Sequence, residues 1–181
     1  GEDITGLKPH ECCERGIGRT FQIVKPFLNM TATENIVIGV MFGSKSARMD
    51  ENKARNEAQR IMDLVGLREK ATTLAKDLTL TEQKRLELAK AMATKPKFLL
   101  LDEVVAGLSP TAAIDAMNLV KAVHDTGVTV LVIDHVLRAV MGFSDRVIVV
   151  DQGEKIADGK PEDIANDIKV IEAYLGERYI L

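Results

Sequence analysis

The 181-residue sequence has no tryptophan, only 4% aromatic residues and just two cysteines, Cys12 and Cys13, which are adjacent. Adjacent cysteines match neither a disulfide framework nor a paired CxxC metal site, so both are expected as reduced thiols in a cytosolic protein. Few aromatics against 46% hydrophobic residues suit an aliphatic α/β core better than an interface built on aromatic stacking. Charge of one sign is also missing. With 24 Lys+Arg against 27 Asp+Glu the net charge is −3, which gives no argument for nucleic-acid binding, and no nucleic-acid partner is expected. No stretch approaches the roughly 18 apolar residues of a membrane span and no signal peptide opens the chain, so a chain soluble by itself is expected. The length fits one domain, or one domain with a lobe.

What is present centres on Phe98-Leu99-Leu100-Leu101, an apolar run that ends in two acids, Asp102-Glu103. Such a run suits a strand buried on both faces, with the acids at its carboxyl end, where open α/β sheets bind ligands. Val128 to Ile133 is a second continuous apolar strand and runs into Asp134-His135; Arg146 to Val150 is a third. Residues 8 to 15 read as a short helix introduced by Pro9, Gly16 to Gln22 as a short strand ending in a polar loop, and Thr31 to about Leu74 as helical. Within that stretch, Lys45 to Glu57 reads as a solvated, densely charged helix face. Thr79-Leu80-Thr81-Glu82 fits a capping box, with Thr79 as N-cap of a helix through about Thr94 that Pro96 ends. Helices are also expected over 111–125 and 136–143, one or two more over 161–175, and a hairpin turn at Asp151 to Glu154 leading into Lys155 to Ala157. Strands alternating with helices imply βαβ units and a parallel sheet, with the helical stretch from about 27 to 95 as a separate lobe.

Parallel strands present their carboxyl ends on one edge, so Asp102, Glu103 and His135 are expected to converge there although far apart in sequence. In phosphate-cleaving ATPases one carboxylate of this kind holds Mg²⁺ and its neighbour can orient or deprotonate the attacking water. A neutral imidazole beside them can hydrogen-bond a γ-phosphate or the water. The start of the 79–94 helix, with unpaired N–H groups and the positive end of the helix dipole, suits an anion such as phosphate. Each feature alone has a plain reading: an acidic loop after a strand, a solvated histidine, an ordinary capped helix. It is their company that points to nucleotide chemistry.

Leu78 to Ala93, followed by Pro96-Lys97-Phe98-Leu99-Leu100-Leu101-Asp102-Glu103, resembles the signature helix and Walker B strand of an ATP-binding-cassette ATPase. Gly107-Leu108-Ser109-Pro110 then looks like the D-loop, His135 like the switch histidine, and Gln22 in Arg19-Thr20-Phe21-Gln22 like the Q-loop glutamine. The wording of Ile4 to Leu7, Gly18 to Gln22, Met30 to Asn35 and Val170 to Glu177 is similar to ATP-binding subunits of branched-chain amino-acid importers, and close relatives for urea or short amides share much of it. The resemblance implies an incomplete P-loop NTPase (RecA-like) fold: an ATPase core at 1–24 and 81–181, and an inserted all-helical lobe at 25–80 carrying the signature segment at its end. It implies ATP and Mg²⁺ as ligands, with Asp102 and Gln22 on the metal, Glu103 polarising the water and His135 on the γ-phosphate. Thr79, Leu80, Thr81, Glu82 and Gln83, with Gly107, Leu108 and Ser109, would meet nucleotide held by a second ATPase subunit. Membrane permease subunits would be the other partners, on the inner face of the cell membrane.

Departures from that pattern are visible. Thr79, Leu80 and Thr81 stand where the signature usually has a serine and two glycines, and the Cβ atoms of Leu80 and Thr81 limit close approach of backbone to phosphate. Val104 replaces the usual proline. The glycine-rich loop ending in Gly-Lys-Ser/Thr that cradles phosphates has no counterpart, Gly43-Ser44-Lys45-Ser46 being a decoy. The chain, which opens at Gly1 rather than Met, is therefore expected to be a C-terminal portion of the ATPase that binds ATP poorly by itself. A central strand would be missing from the sheet, to be made good by strand exchange, dimerisation or rearrangement. The competing reading is a non-catalytic interaction or dimerisation module. A cassette acting in DNA repair or translation would predict a long coiled-coil insertion or a duplicated cassette, and neither is visible in this sequence.

Overall fold

The computed structural model describes residues 1–43 and 50–175. Most of the decoy at 43–46, part of the charged stretch 45–57 and the end of the 170–177 wording lie outside the described residues. The chain divides into two compact units, Gly1–Asp134 and His135–Leu181.

In the first unit, β1 (Ile17–Arg19), β2 (Phe98–Asp102) and β3 (Thr129–Ile133) form a parallel sheet in the order β1-β2-β3. Arg19 pairs with Leu100 and Asp102 with Ile133, so the strands run out along one edge. Parallel neighbours need crossovers. After α1 (Pro9–Glu14), the β1–β2 crossover is helical: α2 (Ala32–Phe42), α3 (Glu51–Leu64) and α4 (Leu80–Ala93); α5 (Pro110–Asp125) joins β2 to β3. The helical pattern expected over 31–74 thus resolves into two helices followed by single 3-10 turns at Arg68–Lys70 and Ala75–Asp77. Gly66, at φ 66°, supplies the left-handed residue that stops α3.

Helix α4 is buried on two sides. Leu86, Ala89 and Ala93 join Ile36, Val40 and Met62 of α2 and α3 in one core, while Leu88 and Ala91 meet Leu99 and Leu101 of β2 together with Val120 and Val123 of α5 in another. At about 1.5–3 kcal/mol for each large aliphatic side chain withdrawn from water, these two faces fasten the helices to the sheet. The loop after Gln22 is closed by Asn35, fully buried on α2: its Oδ1 accepts from Phe27 N at 2.8 Å, and its Nδ2 donates to the carbonyls of Phe27 and Thr31 at 3.1 and 3.0 Å.

Two expectations are corrected. Strand β3 is not buried on both faces: Val130 and Val132 pack into the core, whereas Leu131 and Ile133 are 44% and 61% exposed. Successive strand residues point to opposite faces, and α4 and α5 cover only one. The strand at 146–150, expected to extend the parallel sheet, is β4 (Val147–Asp151) of the second unit and pairs antiparallel with β5 (Glu154–Gly159) in a separate two-stranded sheet. The turn between them stands where expected, at Gln152-Gly153, both with positive φ as the tightest hairpins require. Helices α6 (Leu137–Met141), α7 (Pro161–Ala165) and α8 (Ile168–Leu175) complete this unit around Val147, Ile164 and Val170. Among the described residues no helix is long and apolar enough to cross a membrane.

Candidate functional site: the carboxyl edge of the parallel sheet

Strand β2 delivers Asp102 and Glu103 to the carboxyl edge of the sheet. Asp102 is still in the ladder; its N–H faces the Thr20 hydroxyl at 3.4 Å and its Oδ2 takes Arg19 Nη2 at 3.3 Å. Glu103 leaves the sheet with φ 49°, a left-handed conformation that costs a side-chain-bearing residue about 1–2 kcal/mol. Contacts on all sides hold it there. Its N–H donates to Ile133 O at 2.8 Å, and its carbonyl accepts from Ala106 N at 3.2 Å and from Lys84 Nζ at 3.0 Å. Its carboxylate accepts from Gln22 Nε2 at 2.6 Å. Residues 81 positions apart, predicted to share a site, therefore touch.

The turn that follows is braced as well. Lys84 Nζ donates to Val104 O at 3.1 Å, and Asp134, one residue beyond β3, accepts from Val105 N at 3.2 Å. Burial pulls the Lys84 ammonium below the usual lysine range, against the opposing attraction of Asp134 and Glu103. The turn leads to Gly107 at φ 73°, where an added Cβ would lie 3.7 Å from the side chain of Leu80. Gly107, ahead of Leu108 and the α5 cap Ser109, thus adjoins the start of α4. A shallow cleft at this edge is lined by Thr20, Phe21, Lys84, Asp102 and Glu103.

At the start of α4 the expected capping box is present. Thr79 Oγ1 accepts from Glu82 N at 3.3 Å, and Thr79 N and Oγ1 donate to Glu82 Oε2 at 2.8 and 3.0 Å. These bonds, the Thr79 amide first, hold the Glu82 carboxyl below its usual range, and Lys70 pairs with it at 3.2 Å. The Gln83 amide donates backward to the carbonyls of Ala75 and Leu78. So the donors of Thr79 and Gln83 are turned inward, and a negative side chain sits where an anion would approach.

His135 opens the second unit directly after Asp134 and is exposed. Among the described residues no group of three or more His, Cys, Asp or Glu side chains is placed to hold a metal ion. The oxygen donors of Asp102 and Gln22 are of the kind that suits a hard cation taking the rest of its shell from phosphate and water. Lys84 and Asp134 join the site in the structure although no motif in the sequence marks them. The signal for Lys84 was a charged residue four and seven positions before Leu88 and Ala91, on the α4 stripe facing β2.

Residues 1–106 match the family model described as ABC transporter. The chain is 39% identical over 189 residues to the high-affinity branched-chain amino acid transport ATP-binding protein BraF of Pseudomonas aeruginosa, covering 98% of this chain and 74% of that protein. It is 37% identical over 190 residues to the corresponding protein LivG of Escherichia coli K12, covering 97% and 74%. A solved structure described as the ADP conformation of an ATP-binding cassette of an ABC transporter superposes with a TM-score of 0.83 at 31% identity, covering 98% of this chain and 75% of that one. The chain belongs to the ATP-binding-cassette transporter family. Residues 154–180 match the model of the branched-chain amino acid ATP-binding cassette transporter, which assigns it to that branch.

Proposed function

We propose that this chain carries the hydrolytic half-site of an ATPase that powers import of a branched-chain amino acid, working on the inner face of the cell membrane. The observation that supports it most is the Glu103 carboxylate, fixed by a left-handed backbone and a 2.6 Å bond from Gln22 at the carboxyl edge of a parallel sheet. Glu103 orients the attacking water and takes its proton as the water oxygen bonds to the γ-phosphorus and the bond from that phosphorus to the β-phosphate oxygen breaks, releasing ADP. Gln22, on the loop between β1 and α2, aligns Glu103 and reports the state of the site to the permease, on which the helical lobe at 25–80 docks. Asp102 and Gln22 would hold Mg²⁺, Asp102 exchanging its pair with Arg19 for it; the ion would neutralise charge on the phosphate oxygens. His135 contacts the γ-phosphate. The start of α4 at Thr79 to Gln83, with Gly107 to Ser109, faces nucleotide on a second ATPase subunit, so hydrolysis needs two such subunits face to face.

The test is Glu103→Gln in the assembled transporter. ATP turnover is expected to fall by at least about 100-fold, the contribution of a positioned general base, while MgATP binding persists. Turnover at the parent rate would refute the assignment. A second reading, a non-catalytic dimerisation module, is supported by Leu80, Thr81 and the inward-turned donors at the start of α4, and it predicts no turnover to lose.

A further inference from the structure

Lys84 lies on the one stripe of α4 that packs on β2, in register with buried Leu88 and Ala91. A charge on such a stripe is costly unless its donors are taken up. They are taken up by main chain: Nζ reaches Glu103 O at 3.0 Å and Val104 O at 3.1 Å. The first of these carbonyls belongs to the residue at φ 49° whose carboxylate meets Gln22. An ammonium has three donors and can bridge two carbonyls at once, which an apolar side chain of the same length cannot.

We propose that Lys84 is a positioning residue for ATP hydrolysis: its bridge to the carbonyls of Glu103 and Val104 holds the left-handed turn and thereby sets the direction of the Glu103 carboxylate. The inference rests on the reading of Glu103 as the group acting on the attacking water. It also ties that carboxylate to the start of α4. Thr79 lies five residues earlier, about 7.5 Å along the helix axis, so a shift of that end carries the Lys84 bridge with it.

Lys84→Met keeps the stem and removes the donors. In the assembled transporter it is expected to lower kcat for ATP about 10- to 100-fold, the loss that a misplacement of about 1 Å brings, with KM changed less than about two-fold. Lys84→Arg restores two donors and should recover kcat to within about five-fold of the parent. In a Glu103→Gln background, Lys84→Met should change kcat by less than about two-fold, because the group it positions is gone; a full multiplicative loss would mark a merely structural role and overturn the proposal. A readout independent of turnover is amide hydrogen exchange of this chain. Lys84→Met should speed exchange across 104–108 about ten-fold while leaving the amides of 88–93 unchanged; unchanged exchange at 104–108 would contradict the bridge. If Glu103→Gln itself leaves kcat intact, the reading of Glu103 fails; if it lowers kcat and Lys84→Met does not, the Lys84 assignment alone fails.

Discussion

Among single residues, Glu82 is the one whose charge opposes the site it borders. Its carboxylate, held ionised by Thr79 and paired with Lys70, sits at the α4 N-terminus, where the helix dipole would otherwise favour phosphate. Glu82→Gln keeps an acceptor for the capping box and removes the charge. The KM for ATP in the assembled transporter should fall about two- to five-fold, the worth of one charge at a helix end, with the thermal midpoint of the chain little changed. An unchanged or raised KM would show that nucleotide does not meet this end of α4. Side-chain chemistry at this scale was partly legible in the sequence. The capping box was readable from Thr79 and Glu82 because its donors and acceptors lie three residues apart; the Gln22–Glu103 bond was not, because it closes across 81 positions and needs the sheet to bring it together.

Helix α4 is the element on which both cores depend, and its approach to α2 is made close by glycine. A Cβ placed on Gly39 would lie 2.8 Å from Ala93 Cβ and 3.1 Å from Lys90 O. Gly39→Val should therefore destabilise the first unit by about 1–3 kcal/mol, the usual cost of overpacking, read as a lower denaturant midpoint at unchanged slope. A midpoint equal to the parent would mean that the two helices part freely. Helix positions and caps were readable from sequence because they rest on local periodicity. The faces of β3 were not. Val128 to Ile133 is apolar but for Thr129, yet within the strand only Val130 and Val132 reach the core while Leu131 and Ile133 stay exposed, and an apolar run does not tell how many faces of a strand are covered.

In the molecule as a whole, the hairpin of β4 with the segment after Glu154 is legible in its turn residues, whereas its expected place in the parallel sheet is not borne out. Apolar strands separated by helices suggested one parallel sheet through residue 150, but the short turn at Gln152-Gly153 commits β4 to its neighbour in sequence. That hairpin is locked by Arg146, whose Nε and Nη2 reach Asp158 at 2.7 and 2.9 Å, and by Lys155 at 3.0 Å. These partners hold the Asp158 carboxyl far below its ordinary range. A depressed carboxyl contributes stability that is present above its unfolded pKa, about 3.9, and is lost as pH falls below it. The second unit should accordingly lose stability on acidification below about pH 4, and Asp158→Asn should lower its stability at neutral pH and flatten that acid dependence. Equal acid profiles for parent and variant, followed by denaturant unfolding from pH 6 to 2, would contradict the role of this pair.

The proposed function turns on one claim, that the Glu103 carboxylate at the end of β2 acts at the terminal phosphate of bound nucleotide. The most direct measurement is a crystal structure of the assembled transporter with MgADP and vanadate. Vanadate is expected within about 2.6–3.2 Å of the Glu103 carboxylate, directly or through one water. Vanadate bound away from the carboxyl end of β2, with the Glu103 carboxylate out of reach, would contradict it.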